Sequence, residues 1–99
     1  MEKRCVQMKK ELSFITVIGR DQKGIVAKIS DLLYKNDINI EDISQKVMEG
    51  VFVMTMLVDV SGYTKPSSVL AGRLEAIGSS MGLKIQIQHE NIFKRMHRV

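Results

Sequence analysis

The chain has 99 residues, of which 44% are apolar and 26% charged, with seven glycines and a single proline. This length excludes two separate domains and predicts one globular domain with a thin core that a partner subunit would enlarge. The formal net charge of +4 divides into +3 in residues 1–10, −2 in residues 11–90 and +3 in residues 91–99. We therefore predict a domain over 11–90 flanked by two basic segments, and we do not predict nucleic acid or a membrane as a partner.

Cysteine usage and apolar run lengths bear on the compartment. Cys5 is the single cysteine, which excludes an internal disulfide and any multi-cysteine metal site. No apolar run is long enough for a signal peptide or a membrane span, so we expect a reducing, cytoplasmic location. Met54, Met56 and Met81 fall at periodic apolar positions, which indicates core filling rather than metal binding. No metal and no cofactor are predicted.

The first half of the chain predicts two strands with a helix between them. Residues 12–18 (LSFITVI) are rich in β-branched and aromatic side chains and read as a central strand. A helical apolar stripe follows and ends near Asn36 or Asp37. Residues 38–47 carry a sparser apolar pattern that suits an edge strand, and Glu49-Gly50 predicts a hairpin turn. The stripe consists of Ile25, Val26, Ile29, Leu32 and Leu33.

The second half predicts a strand, a helix and a further strand. Residues 51–60 (VFVMTMLVDV) are apolar at nearly every position, which predicts a strand covered on both faces. Pro66 suits the first turn of the second helix, Thr64 is its candidate cap, and Gly82 ends it. Alternation in residues 83–88 indicates a second edge strand, and residues 91–99 have the spacing of a short amphipathic tail helix. The stripe of the second helix is Leu70, Leu74, Ile77 and Met81.

The order of these elements, β-α-β-β-α-β, predicts an α+β ferredoxin-like sandwich: a four-stranded antiparallel sheet with two helices on one face, plus the short tail helix. Because the central strands are apolar on both faces, the face without helices predicts a dimer or a docked tail.

The same sandwich hosts several functions, so the motifs have to discriminate among them. An RNA-binding module would stack bases on aromatic side chains of its central strands, and only Phe14 and Phe52 are candidates here. An acylphosphatase-like enzyme would use Arg20 before the first helix, but residues 51–60 lack the asparagine which that family places on its third strand. His89 and His97 have no serine or cysteine nucleophile beside them, so no catalytic residue is predicted.

The loop before the first helix carries the more informative pattern. Residues 19–24 (GRDQKG), followed by IVAKI and then by NDINI at residues 36–40, resemble the ACT domain, whose pattern is an acidic or amide residue, two variable residues, glycine, a helix, and Asn-Ile. The resemblance covers nearly the whole chain and extends to the small stand-alone ACT proteins related to the glycine-cleavage repressor group. It implies a regulatory module, not an enzyme, that senses an amino acid or similar small effector at a homodimer interface.

The resemblance implies a ligand site in which Gly24 leaves the helix N–H groups open to a carboxylate, Asp21 holds an ammonium, and Asn39 lies close to the helix start. Structural roles remain open for the same residues, since Asp21 would also cap the helix, Asn39 would also serve a turn, and Gly24 would also permit close packing. The implied ligand-binding residues are Asp21, Lys23, Gly24, Ile25, Asn39 and Ile40.

Where family members often carry a larger polar residue, this chain has Gly19, which bears on the identity of the ligand. Dimerisation would use the edge strand of residues 40–48 or the open sheet face, with the edge favoured. A stand-alone module acts through another chain, so an enzyme or a regulator is expected as its partner. The alternative is an adaptor that binds proteins and has lost the ligand.

Overall fold

The computed structural model describes residues 11–89, and six elements follow one another in the predicted order. They are β1 (Leu12–Arg20), α1 (Ile25–Lys35), β2 (Asn39–Met48), β3 (Val51–Asp59), α2 (Ser67–Met81) and β4 (Leu83–His89). The ferredoxin-like prediction is confirmed. The tail helix predicted for residues 91–99 and the basic segment 1–10 lie outside the described residues, so the three-part division of the chain stays a prediction.

The four strands form one antiparallel sheet in the order β2-β3-β1-β4. The two strands predicted as central, β1 and β3, are central, and the two predicted edges are β2 and β4. Cross-strand pairs run from Leu12 and Asp59 at one end of the β1–β3 ladder to Arg20 and Val51 at the other. The loop that leaves β1 therefore lies at the same end of the sheet as the β2–β3 turn.

One face of the sheet is buried against the helices. Alternate side chains of β1 and β3 are inaccessible to solvent, including Ile15 and Val17 on β1 and Met54 and Met56 on β3. The prediction that these two methionines fill the core is confirmed. Across from them, α1 buries Ile25, Ile29 and Leu33, and α2 buries Leu70, Leu74 and Gly78.

The opposite face, called here the open face, carries exposed apolar side chains, as the sequence predicts. Its apolar side chains include Ile18, which is 50% exposed, and Val51, which is 43% exposed. Nothing within residues 11–89 covers them, so the predicted cover of this face by a second subunit or a docked tail stays a prediction. The apolar character of the second face is present, but helices occupy only one side of the sheet.

The ends of the helices follow local chemistry. Asn36 is the C-terminal cap of α1, and its side-chain amide donates a hydrogen bond to the Leu32 carbonyl at 2.8 Å; Gly82 is the C-terminal cap of α2 and ends that helix, as predicted. The predicted cap of α2 is wrong. Pro66 in extended conformation occupies the cap position with no side-chain hydrogen bond, and Thr64 lies two residues too early to reach the first turn.

The turn and the edge strands complete the sheet. Glu49 and Gly50 both have positive φ, at 50° and 83°, which is the conformation of a two-residue hairpin turn and confirms that prediction. β2 carries a bulge between Ile40 and Asp42, and β4 exposes Lys84 along the other edge. Neither helix among the described residues is long and apolar enough to traverse a bilayer.

Candidate functional site

The loop between β1 and α1 is held in place by hydrogen bonds from its first two residues. The backbone N–H of Asp21 donates to the Gly50 carbonyl at 2.9 Å, which fastens the loop to the hairpin turn. The side-chain amide of Gln22 donates to the carbonyls of Arg20 at 3.1 Å and Met81 at 2.8 Å. The loop is therefore tied both to the turn of the sheet and to the end of α2.

Gly24 forms the start of α1. Its φ of 86° is a left-handed conformation that favours glycine, and a Cβ at this position would have nothing within 4 Å. Backbone conformation, and not close packing, thus requires glycine here. No side chain caps α1 and its first turn contains no acidic residue, so first-turn N–H groups are left for an external acceptor.

The remaining loop residues divide by exposure. Asp21 and Lys23 are exposed, whereas Ile25 is 2% exposed and belongs to the core. The reading of Asp21 as the helix cap is wrong, because the cap position is three residues later, at Gly24. A ligand at this loop would meet the backbone of Ile25, the glycine, and two charged side chains of opposite sign.

Asn39 lies elsewhere. It begins β2, pairs with Asp59 in the β2–β3 ladder, and donates a side-chain hydrogen bond to the Glu41 carboxylate at 2.9 Å. The length of β2, about 30 Å for an extended strand of this size, separates Asn39 from the hairpin turn against which Asp21 rests. The expectation that Asn39 lies close to the start of α1 is therefore wrong within one subunit. Ile40 accompanies Asn39 and is half-buried opposite Val58.

Local packing explains why position 19 is a glycine, where family members often carry a larger polar residue. A Cβ on Gly19 would lie 2.6 Å from Cδ2 of Leu83, 3.1 Å from Cα of Leu83 and 3.2 Å from the Gly82 carbonyl oxygen. β1 passes too close to the start of β4 to accommodate a larger side chain. The polar residue that family members often carry here is thus excluded by packing, whatever the ligand.

Gln22 was missed by the sequence reasoning. An amide in a polar loop gives no signal until the fold brings the end of α2 beside it.

No candidate metal site is found in the part of the chain that the structure describes. Within residues 11–89, no three His, Cys, Asp or Glu side chains lie close enough together to hold a metal ion.

The two aromatic side chains considered for RNA binding do not form a stacking surface. Phe52 is 5% exposed and faces the helices, whereas Phe14 is half-buried and belongs to the open face. Two side chains on opposite faces of the sheet cannot stack neighbouring bases.

Comparison with known proteins identifies the family to which the chain belongs. The model of the ACT domain family matches residues 11–88. This chain belongs to the ACT domain family. It is 52% identical over 85 residues to a UPF0237 protein of Methanococcus maripaludis, covering 86% of this chain and 94% of that protein. An ACT domain protein from Streptococcus pneumoniae superposes with a TM-score of 0.75 at 36% identity, covering 86% of this chain and 96% of that one.

A putative glycine cleavage system transcriptional repressor shares the ACT fold at 22% identity and a TM-score of 0.68, covering 81% of this chain and 46% of that one. The resemblance predicted from the loop and the Asn-Ile motif is confirmed at the level of the family. ACT domains are small regulatory, ligand-binding modules and not catalytic domains, which confirms that the chain is not an enzyme.

Proposed function

We propose that this ACT domain binds a small effector, an α-amino acid, at an interface between two copies of the chain. The start of α1 carries the proposal. Its N–H groups lack a side-chain cap, and the glycine before them leaves room for an approaching carboxylate. The exposed carboxylate of Asp21, three residues before Gly24, would pair with the ammonium of the same ligand, while Lys23 and the backbone of Ile25 would border its carboxylate.

The second half of the proposed site requires a second subunit. β2 is an edge strand with no neighbouring strand on its outer side within the described chain, and it exposes Ile43 at 41% and Val47 at 51%. These two side chains share the helix-facing side of the sheet, since they pair with Met56 and Phe52. An edge with apolar side chains favours pairing with another strand.

Antiparallel pairing of β2 with β2 of a second copy would bring Asn39 of one copy close to the β1–α1 loop of the other. A two-fold axis through Ser44, with the bulge between Ile40 and Asp42 taking up one residue, places Asn39 beside the partner's Met48, because opposed residues are then equally far from that axis and share a face of the sheet. Met48 adjoins the hairpin turn that holds the loop. Asn39 and Ile40 of one copy would then border the loop of the other, and each dimer would hold two equivalent sites.

Such a site would regulate by changing how two subunits associate. Effector binding across the interface stabilises the dimer by mass action, since neither subunit alone supplies all the contacts. The dimer in turn would present a surface to an enzyme or a regulator, because an ACT domain without a catalytic domain must act on another chain.

Calorimetric titration of the full chain against the twenty amino acids tests this function, with light scattering run on the same samples. We expect one amino acid to bind with a stoichiometry of one per subunit and to increase the dimer fraction. The absence of heat with all twenty, from a sample shown to be a folded dimer, would contradict the amino-acid proposal.

A protein-binding adaptor is the second candidate, favoured by the apolar side chains on the exposed β2 edge. This edge would equally accept a strand from a different protein. Asn39→Ala separates the two functions, because it removes a ligand contact without altering the edge backbone. Loss of amino-acid binding with dimerisation retained supports the sensor, whereas a folded chain that binds no amino acid but captures a partner strand supports the adaptor.

A further inference from the structure

A cavity of about 290 Å³ opens at the other end of the sheet, between the start of β1, the end of β4 and the start of α2. We call it the α2-end cavity. Leu70 and Ile87 form its apolar floor, and Ser13, Tyr63 and His89 stand around it. Its volume equals the space of about ten water molecules, which suits a small organic molecule.

One buried hydroxyl in the wall lacks a partner, and a nearby buried serine makes no side-chain hydrogen bond among residues 11–89. Ser13 is 4% exposed and lies opposite His89 in the β1–β4 ladder, on the side that faces the helices. No hydrogen bond to its hydroxyl occurs among residues 11–89. The Tyr63 hydroxyl oxygen is fully buried and is also without a hydrogen-bond partner. Buried polar groups are nearly always paired, so the unpaired Tyr63 hydroxyl, with the unbonded Ser13 at the same cavity, favours a ligand that completes them.

The charge around the cavity indicates the sign of that ligand. α2 is fifteen residues long, and its first turn has neither a side-chain cap nor an acidic residue, so its positive end is uncompensated. Lys65 and Ser67 line the cavity next to this end. Glu11, which precedes β1, also lines the cavity and would repel a negative group, so the anion is assigned to the α2 end.

We propose that the α2-end cavity binds a small organic anion, with a carboxylate or phosphate at Lys65 and Ser67 and an apolar body against Leu70 and Ile87. The hydroxyls of Ser13 and Tyr63 donate hydrogen bonds to oxygens of the same carboxylate or phosphate, since the apolar body offers no acceptor. This site lies at the Leu12 end of β1, and the loop proposed for the amino acid lies at the Arg20 end, so the two proposals succeed or fail separately.

Titration of the ¹⁵N-labelled full chain tests the proposal by nuclear magnetic resonance. The probes are 3-phenylpropionate and phenyl phosphate, with neutral 3-phenylpropanol as the uncharged control. We expect saturable shifts of the backbone amide signals of Ser67 and Ser68 with one or both anions, with the amides of residues 21–25 unmoved. Absence of saturation with both anions, or equal affinity for the neutral alcohol, would overturn the proposal.

Tyr63→Phe gives a sharper test, because it removes an unpaired hydroxyl from the free protein and a hydrogen bond from the complex. We expect the free variant to be as stable as the parent or more stable, and the anion to bind about fivefold less tightly. Tyr34→Phe is the matched control, since Tyr34 is 81% exposed on α1. Ser13→Ala is a second variant with the same expected loss of affinity. Unchanged affinity in both Tyr63→Phe and Ser13→Ala would overturn the assignment.

Discussion

Asn39 lies opposite Asp59 in the β2–β3 ladder, at the end of the sheet farthest from the loop that precedes α1. The Asn-Ile motif and the glycine loop are joined by one helix in the sequence, yet the sheet holds them apart. A single subunit cannot close a ligand site from both. If both motifs contact one ligand, they must come from two chains.

Subunit complementation tests this shared site. Asp21→Ala and Asn39→Ala should each lower effector affinity at least tenfold, because each removes one charged or polar ligand contact. In an equimolar mixture, random exchange makes half of the dimers mixed, and one of the two sites in each is intact. About a quarter of the sites should therefore recover parent affinity in calorimetry, as two-fold symmetry requires.

Asp31→Ala serves as the control for that experiment. Asp31 is exposed on α1 and pairs with Lys35 at 3.1 Å, away from both motifs. Its loss should leave effector binding unchanged. A mixture of the two site variants that recovers nothing, under conditions where subunits demonstrably exchange, would place the whole site within one chain.

The β2 edge gives a second prediction. Val47→Lys should shift the chain toward monomer in light scattering, because pairing across the axis would bury an unpaired ammonium in each subunit. The fold should survive, since Val47 is already half-exposed in the single chain. Gln86→Lys, at an exposed position on the β4 edge, is the matched control and should remain dimeric. A dimer unaffected by Val47→Lys would point to the open face as the interface.

Packing of α2 against β4 gives a third prediction. A Cβ on Gly78 would lie 2.6 Å from the Leu83 carbonyl oxygen, whereas a Cβ on Gly72, in the same helix, would meet nothing within 4 Å. Gly78→Ala should therefore destabilise the fold by about 1 to 3 kcal/mol through overpacking. Gly72→Ala should stabilise it by up to about 1 kcal/mol, because alanine is the better helix former. Urea denaturation measures both, and equal stabilities would refute the close approach.

The predicted boundary between the basic segment 1–10 and the domain gives a fourth prediction. Deletion of residues 1–10 should lower the isoelectric point while leaving the melting temperature within about 4 °C, because the segment is predicted to lie outside the domain. Deletion through Leu12 is the comparison. It also removes Glu11, whose N–H donates to the Asp59 carboxylate at 3.2 Å and whose carbonyl accepts from the Val60 N–H at 2.7 Å. Only the variant with the longer deletion should have a markedly lower melting temperature.

The elements of the fold could be predicted because hydrophobic periodicity is a local property. The alternation in β4 and the stripe of α1 are visible within a dozen residues, and Glu49-Gly50 and Gly82 mark their breaks in the same local way. The prediction of the residue that caps α2 was wrong for a related reason. Thr64 and Pro66 are both ordinary residues before a helix, and only the backbone decides which one occupies the cap position.

Long-range placement could not be predicted in the same way. The loop and Asn39 fit one motif, but their separation depends on the pairing of β2 with β3, which no local pattern encodes. The α2-end cavity was equally hidden. Ser13 is a single polar residue in an apolar strand, and it gains significance only when Tyr63, fifty residues away, comes to rest at the same cavity.

The two sheet edges differ in a way that bears on polymer growth. Pairing of β2 with β2 uses the same edge in both copies, so the assembly is closed and no second β2 remains. The strands left at the ends of an eight-stranded sheet would be two copies of β4, each seven residues long and bearing the exposed Lys84. Short, charged edges resist the templated addition of further strands. The sheet should therefore stop growing at two subunits, and concentrated solutions should not seed fibrils.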